Sequence, residues 1–150
     1  VEGLVVGSEE AHSIEAIKLM RELSEKLKEI TGETGEDSFN LDDMNNSRSL
    51  FAICRYQGQP VGCGALRPLN ETTAELKRMY SRKNGMGVGS KILSYLEKEA
   101  INLNYFIIRL ETQKINKKAI HFYKSKGYTC IPNYGRCIGR TDAICFEKLL

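Results

Sequence analysis

A chain of 150 residues, 41% hydrophobic and 27% charged, has the composition of one globular domain and not of a disordered tail. Its net charge of +3 excludes a long nucleic-acid stripe, because the basic residues gather only in two small clusters, Arg82-Lys83 and Lys114 with Lys117 and Lys118. No apolar run approaches the roughly 18 residues of a membrane span.

Leu4 to Val6 reads as a short first strand. Ile17, Met20, Leu23, Leu27 and Ile30 recur at spacings of three and four, the stripe of an amphipathic helix, which Gly32 and Gly35 end. Residues 33 to 49 are polar and predict a loop with one short helical turn near Asp37 to Asp43. Two strands follow, 50 to 56 and 61 to 66, joined through Gln57-Gly58-Gln59-Pro60 as a hairpin. Asn70-Glu71 marks the next turn, and 73 to 80 reads as the third strand of a meander. A helix with Val88, Ile92, Leu93, Leu96 and Ala100 inward comes next, then a strand over 106 to 111. A second helix opens at Asn116 with Ala119, Phe122 and Tyr123 inward and stops at Gly127. Residues 128 to 131 extend, and 143 to 149 closes the chain as a last strand whose edge permits a homodimer as well as a monomer. The order predicts an α/β fold of one domain over 1–150, a mixed, mostly antiparallel sheet with helices on both faces.

The five cysteines are an odd number with no C-x-x-C pair, and the two histidines, His12 and His121, lie near no cysteine pair, so neither a disulfide framework nor a metal site is expected. Cys54, Cys63 and Cys145 fall in apolar runs, where cysteine acts as a small hydrophobe. Reduced thiols and the lack of a visible signal peptide point to the cytoplasm.

The segment Asn84-Gly85-Met86-Gly87-Val88-Gly89-Ser90 lies between a strand and a helix. Unpaired N–H groups at a helix start and the positive end of its dipole favour phosphate, and glycines let the backbone come close. A flexible capping turn explains the glycines equally well at this level. The spacing is not that of a P-loop, since Lys91 follows Ser90, nor the G-x-G-x-x-G of a dinucleotide fold.

Glu75-Leu-Lys-Arg-Met-Tyr80, then 84–89, then Asn116-x-x-Ala119-x-x-Phe122-Tyr123-x-x-x-Gly127-Tyr128 together resemble the GNAT superfamily of N-acetyltransferases, over the chain from about Leu50 onward. The resemblance implies that acetyl-CoA is the cosubstrate, with no metal. Backbone groups of Met79, Tyr80 and Ser81 would pair with the pantetheine arm, and Asn84, Gly85, Met86, Gly87, Val88, Gly89 and Ser90 would wrap the pyrophosphate. The family usually has Arg or Gln where this chain has Asn84, which leaves Arg82 or Lys83 as the source of positive charge.

Acetyl transfer to an amine needs a neutral amine, a polarised thioester and a proton for the leaving thiolate. Glu75 matches the family's general base, direct or through water; otherwise it is a strand carboxylate paired with Lys77 or Arg78. Tyr123 matches the tyrosine that protonates the thiolate; otherwise it is a core aromatic. Asn116 is a helix N-cap, a coenzyme contact, or both. Arg67, Tyr134 and Arg136 sit where the family binds its acceptor, and either arginine could take a carboxylate bidentately, against the plainer reading of two exposed arginines. The acceptor expected is a small-molecule primary amine, an amino acid or a peptide-like compound. A protein N-acetyltransferase and a non-catalytic acyl-CoA-binding module are the alternatives.

Overall fold

The computed structural model describes residues 2–82 and 85–150. Strand β1 (Leu4–Ser8) leads into helix α1 (Ile14–Thr31). Ser13 caps that helix by accepting from the Ala16 N–H, and Gly32, at φ 84°, closes it through a bond to the Lys28 carbonyl. Two short 3-10 turns, Glu36–Ser38 and Leu41–Asn45, occupy the polar stretch for which one turn was expected.

Strands β2 (Leu50–Tyr56), β3 (Gln59–Pro68) and β4 (Thr73–Ser81) form the antiparallel meander. The β2–β3 turn is tighter than the sequence reading. Gln57 and Gly58 both take positive φ, as a two-residue hairpin requires, so β3 starts at Gln59 and not Val61. Helix α2 (Val88–Asn102) returns the chain to β5 (Ile107–Gln113), which runs parallel to β4. Helix α3 (Lys117–Ser125), β6 (Thr129–Ile131) and β7 (Ala143–Leu149) complete the fold.

The sheet order is β1-β2-β3-β4-β5-β7-β6. The expectation of a free edge at the last strand is therefore corrected: β7 pairs on both sides, and the edges are β1 and the three-residue β6. On one face, Val88, Ile92, Leu93, Leu96 and Ala100 of α2 pack with Leu76, Ile108, Leu110 and Phe146. On the other, Ala16, Leu19 and Met20 of α1 cover Phe51, Ile53, Cys63 and Ala65. Glycines set the distance on the α2 side, for a Cβ at Gly62 would lie 2.6 Å from Val88 Cγ1 of α2, and as close to the Tyr80 carbonyl oxygen of β4.

Helix α1 buries a different face from the predicted stripe. Ala16, Leu19 and Ser24 go inward with Met20 and Leu23, while Ile17 and Leu27 are half-buried and Ile30 is exposed. Those three apolar side chains border cavities instead of the core. All five cysteines are unpaired, and no described helix is long and apolar enough to cross a membrane.

Candidate active site

Strands β4 and β5 pair over three residues only, Thr73–Glu75 with Ile107–Arg109. Beyond Glu75 they part. Two features of β4 drive the separation. Arg78 takes φ 54°, and the ladder to β3 slips between Cys63 and Ala65, so that two β4 residues face one on β3. The strand bends, and its β5-facing side is left without a strand partner from Leu76 onward.

A cleft of about 610 Å³ opens there, lined by Met79–Arg82 and by Gly85, Gly87–Ser90, Asn116, Lys118, Ala119, Phe122 and Tyr123, with Leu23, Leu27 and Ile30 of α1 over it. Gly87 is the N-cap of α2 and has no side chain to satisfy the first N–H groups, so these are available to an anion. Gly85 and Gly87 sit at φ 82° and 75° with open space where a Cβ would stand. A cap-free helix start, an open glycine turn and an unpaired strand side suit the pyrophosphate and pantetheine of acetyl-CoA. Gly89 has another reason to be glycine: a Cβ there would press within 3.3 Å of the Phe122 ring, where α2 and α3 cross.

The remaining coenzyme candidates divide. Met79 and Ser81 line the cleft, whereas Tyr80 lines it while its hydroxyl turns to α1, donating to Glu22 Oε1 at 3.1 Å. Val88 borders the cleft but is buried at 1% exposure. Met86 packs against the α2 core and is not among the lining residues. Asn84 lies outside the described residues, as does Lys83. Arg82, expected to supply charge to the phosphates, is engaged elsewhere. Its guanidinium donates to both Glu22 oxygens, at 2.9 and 2.7 Å, and to the Pro60 carbonyl. Asn116 caps α3 by accepting from the Ala119 N–H, and it also lines the cleft.

Tyr123 stands where the cleft narrows, since it also lines the inner chamber between β4 and β5. It is 8% exposed, its ring edge-on to Phe122 at 5.2 Å and to Tyr128 at 5.7 Å. Burial raises its phenol above the usual tyrosine range, so it stays protonated.

Glu75 is 4% exposed and lines neither this cleft nor the inner chamber. Of the two partners weighed from sequence, Lys77 forms an ion pair with it and Arg78 does not, and Arg67 and Tyr134 bind it more closely. Arg67 donates to Oε1 from Nε at 2.9 Å and from Nη2 at 2.7 Å, Tyr134 donates to Oε2 at 2.5 Å, and Lys77 stands 3.8 Å off. Arg78, turned by its positive φ, points to α1 and reaches the Met20 carbonyl and Ser24 Oγ. Arg67 is not an exposed arginine waiting for a carboxylate, because Asp43 takes its third donor at 2.5 Å.

Glu111 is the site residue that sequence reading missed. Lys77 Nζ lies 3.1 Å from its Oε1, Arg136 Nε donates to the same oxygen at 3.2 Å, and Cys137 Sγ bonds Oε2. Burial pushes the carboxyl up, but Lys77, Cys137 and Arg136 outweigh it and hold the group down at about 2. A signal existed: Arg109, Glu111 and Gln113 alternate with apolar Ile108 and Leu110, placing a polar row on an interior strand.

The Acetyltransferase (GNAT) family profile matches residues 17–128. An IAA acetyltransferase of Azospirillum brasilense is 26% identical over 115 residues, 75% of each chain. A Klebsiella pneumoniae protein assigned as an acyl-CoA N-acyltransferase superposes with TM-score 0.81 at 25% identity, over 98% of this chain and 97% of that one. A GNAT acetyltransferase of Elizabethkingia anophelis with acetyl-CoA bound shares the fold, with TM-score 0.74, 16% identity and full coverage of both chains. With the matched segment running from α1 through the splayed strands to the end of α3, the chain belongs to the GNAT family and is an acetyl-CoA-dependent acetyltransferase.

Proposed function

We propose that the acceptor is the primary amine of a small metabolite, an amino acid or a peptide-like compound, attacked directly by the bound thioester. The observation that carries this reading is the continuity of the cleft, from the cap-free start of α2 to Tyr123 and the inner chamber. That chamber is small, about 160 Å³. Glu33 accepts from Gln113 Nε2 at 3.0 Å and lies 3.6 Å from Arg140, tying the segment after α1 to β5 and to the β6–β7 loop. A chamber of that size favours a small acceptor over a polypeptide.

Acetyl-CoA supplies the activated acetyl group. A backbone N–H near Met79 polarises the thioester carbonyl. As the amine nitrogen bonds to the carbonyl carbon and the carbon–sulfur bond breaks, Tyr123 Oη gives its proton to the departing thiolate. The amine proton passes to Glu75. Because that carboxylate is buried beneath Tyr134 and lines neither cavity, the transfer runs through water and the Tyr134 hydroxyl, which already donates to it.

Acetyl-CoA at about 100 times its Kd should stabilise the protein by about 2.7 kcal/mol in a thermal-shift measurement, while ATP and NAD leave it unmoved. No rise with acetyl-CoA would defeat the cleft assignment. Glu75→Gln should change the pH dependence of kcat/KM, and an unaltered profile would remove Glu75 as the base.

A further inference from the structure

A second cavity of about 730 Å³ opens on the α1 side of the sheet, between α1, the 3-10 turns and the β6–β7 loop. It meets the inner chamber at Ser38, Arg78 and Arg136, which line both. Four arginines line it: Arg21, Arg67, Arg78 and Arg136. The carboxylates on its wall are Glu36 and Asp37, both exposed at the rim.

The four guanidinium groups differ in how their charge is met. Arg67 is neutralised by Glu75 and Asp43. Arg136 spends only Nε on Glu111, and its two terminal nitrogens have no partner among the described residues. Arg21 has none among them either. Arg78 is the telling one. It is 8% exposed, yet its bonds go to the Met20 carbonyl, Ser24 Oγ and the Thr34 carbonyl, and no carboxylate among the described residues lies within ion-pair distance. A buried cation without a counter-ion is costly, and the open space beside this one is where an anion would sit. Burial pulls the Arg78 guanidinium below its ordinary value, in keeping with an uncompensated charge.

We propose that the acceptor carries a carboxylate close to its amine, and that Arg78 and Arg136 at the junction of the two cavities, with Arg21 further out, hold it. The inference rests on the small-amine reading above and sharpens it to amino carboxylates. A carboxylate at the junction would leave the neighbouring amine facing the chamber that Tyr123 and Glu111 line. The same arginines repel polycationic amines, so polyamines are excluded as acceptors.

The test is a turnover panel of amino acids beside their α-amides and their decarboxylated amines, each with saturating acetyl-CoA. The expected result is a kcat/KM for the acid on the order of 10- to 100-fold above that of the amide with the same side chain. Arg136→Gln should collapse that ratio toward one. Arg21→Gln, at an exposed position that does not endanger folding, should raise KM for the acid by about 10-fold, about one charged hydrogen bond's worth. Amides or plain amines turned over as well as the acids would overturn the proposal and leave the small-amine reading standing. If no amine of any series is acetylated while acetyl-CoA still raises the melting temperature, the small-amine reading fails and this proposal fails with it.

Discussion

Tyr123→Phe should lower kcat by about 100-fold or more while the Kd for acetyl-CoA stays within about twofold. The substitution is a clean one at this position. Phenylalanine keeps the ring that packs edge-on to Phe122 and Tyr128, so the walls of the cleft hold their shape. The phenol has no hydrogen-bond partner among the described side chains, so its removal orphans no buried group and costs little stability. What is lost is the protonated hydroxyl at the narrow part of the cleft, which burial keeps from ionising. Rapid-quench turnover beside equilibrium titration of the coenzyme separates the two quantities. An unchanged kcat would take Tyr123 out of the chemistry. A weakened Kd with kcat preserved would make it a binding residue.

Glu111→Gln should cost about 3–5 kcal/mol of folding stability, because it leaves the buried Lys77 facing a neutral amide, the exposed Arg136 adding little. Lys77 is 7% exposed and has no other carboxylate closer than Glu75 at 3.8 Å. At about 2–4 °C per kcal/mol for a chain of this size, the fall in melting temperature is large enough to read directly. The pH dependence gives the effect a signature. The folded carboxyl sits at about 2 against an ordinary 4.5, so its ionised form is favoured by folding. That contribution is fully present above about pH 5 and is lost as pH falls from there toward 2. The gap in melting temperature between wild type and variant should therefore narrow across that window. A gap that does not change with pH would mean that the charge of Glu111 is not its source.

Much of the frame was legible because one physical requirement dominated each element. The buried face of α2 could be read from Val88, Ile92, Leu93, Leu96 and Ala100, all five of which are in the core. The glycines before it could be read as an open turn at a helix start because only backbone freedom explains two positive-φ positions there. Helix α1 was harder, since Ile17, Leu27 and Ile30 satisfy the same periodicity whether they face a core or a cavity. The place of β7 was not legible at all. Order along the chain does not say that the crossover through α3 skips the place beside β5, into which β7 folds back as the antiparallel neighbour of both β5 and β6. Arg78 escaped for a different reason, as nothing in a sequence announces an arginine at φ 54°. That one backbone angle, with the bulge beside it, turned Arg78 onto the α1 face, where it reaches Met20 and Ser24 and lines the second cavity.

The three-residue ladder between β4 and β5 has a consequence for how the molecule comes apart. Among the described residues it is the sole strand-to-strand seam joining the β1–β4 meander to the β5-β7-β6 group within the sheet. The meander is bound internally by long antiparallel ladders, and so is the β5–β7 pair. Two such blocks, joined by a short seam and by the core they share under α2, open more readily at the seam than within either ladder. A ligand lying along the open side of β4 and touching α3 spans that seam. Its binding joins the blocks into one cooperative unit, so substrate sharpens the unfolding transition as well as raising its midpoint.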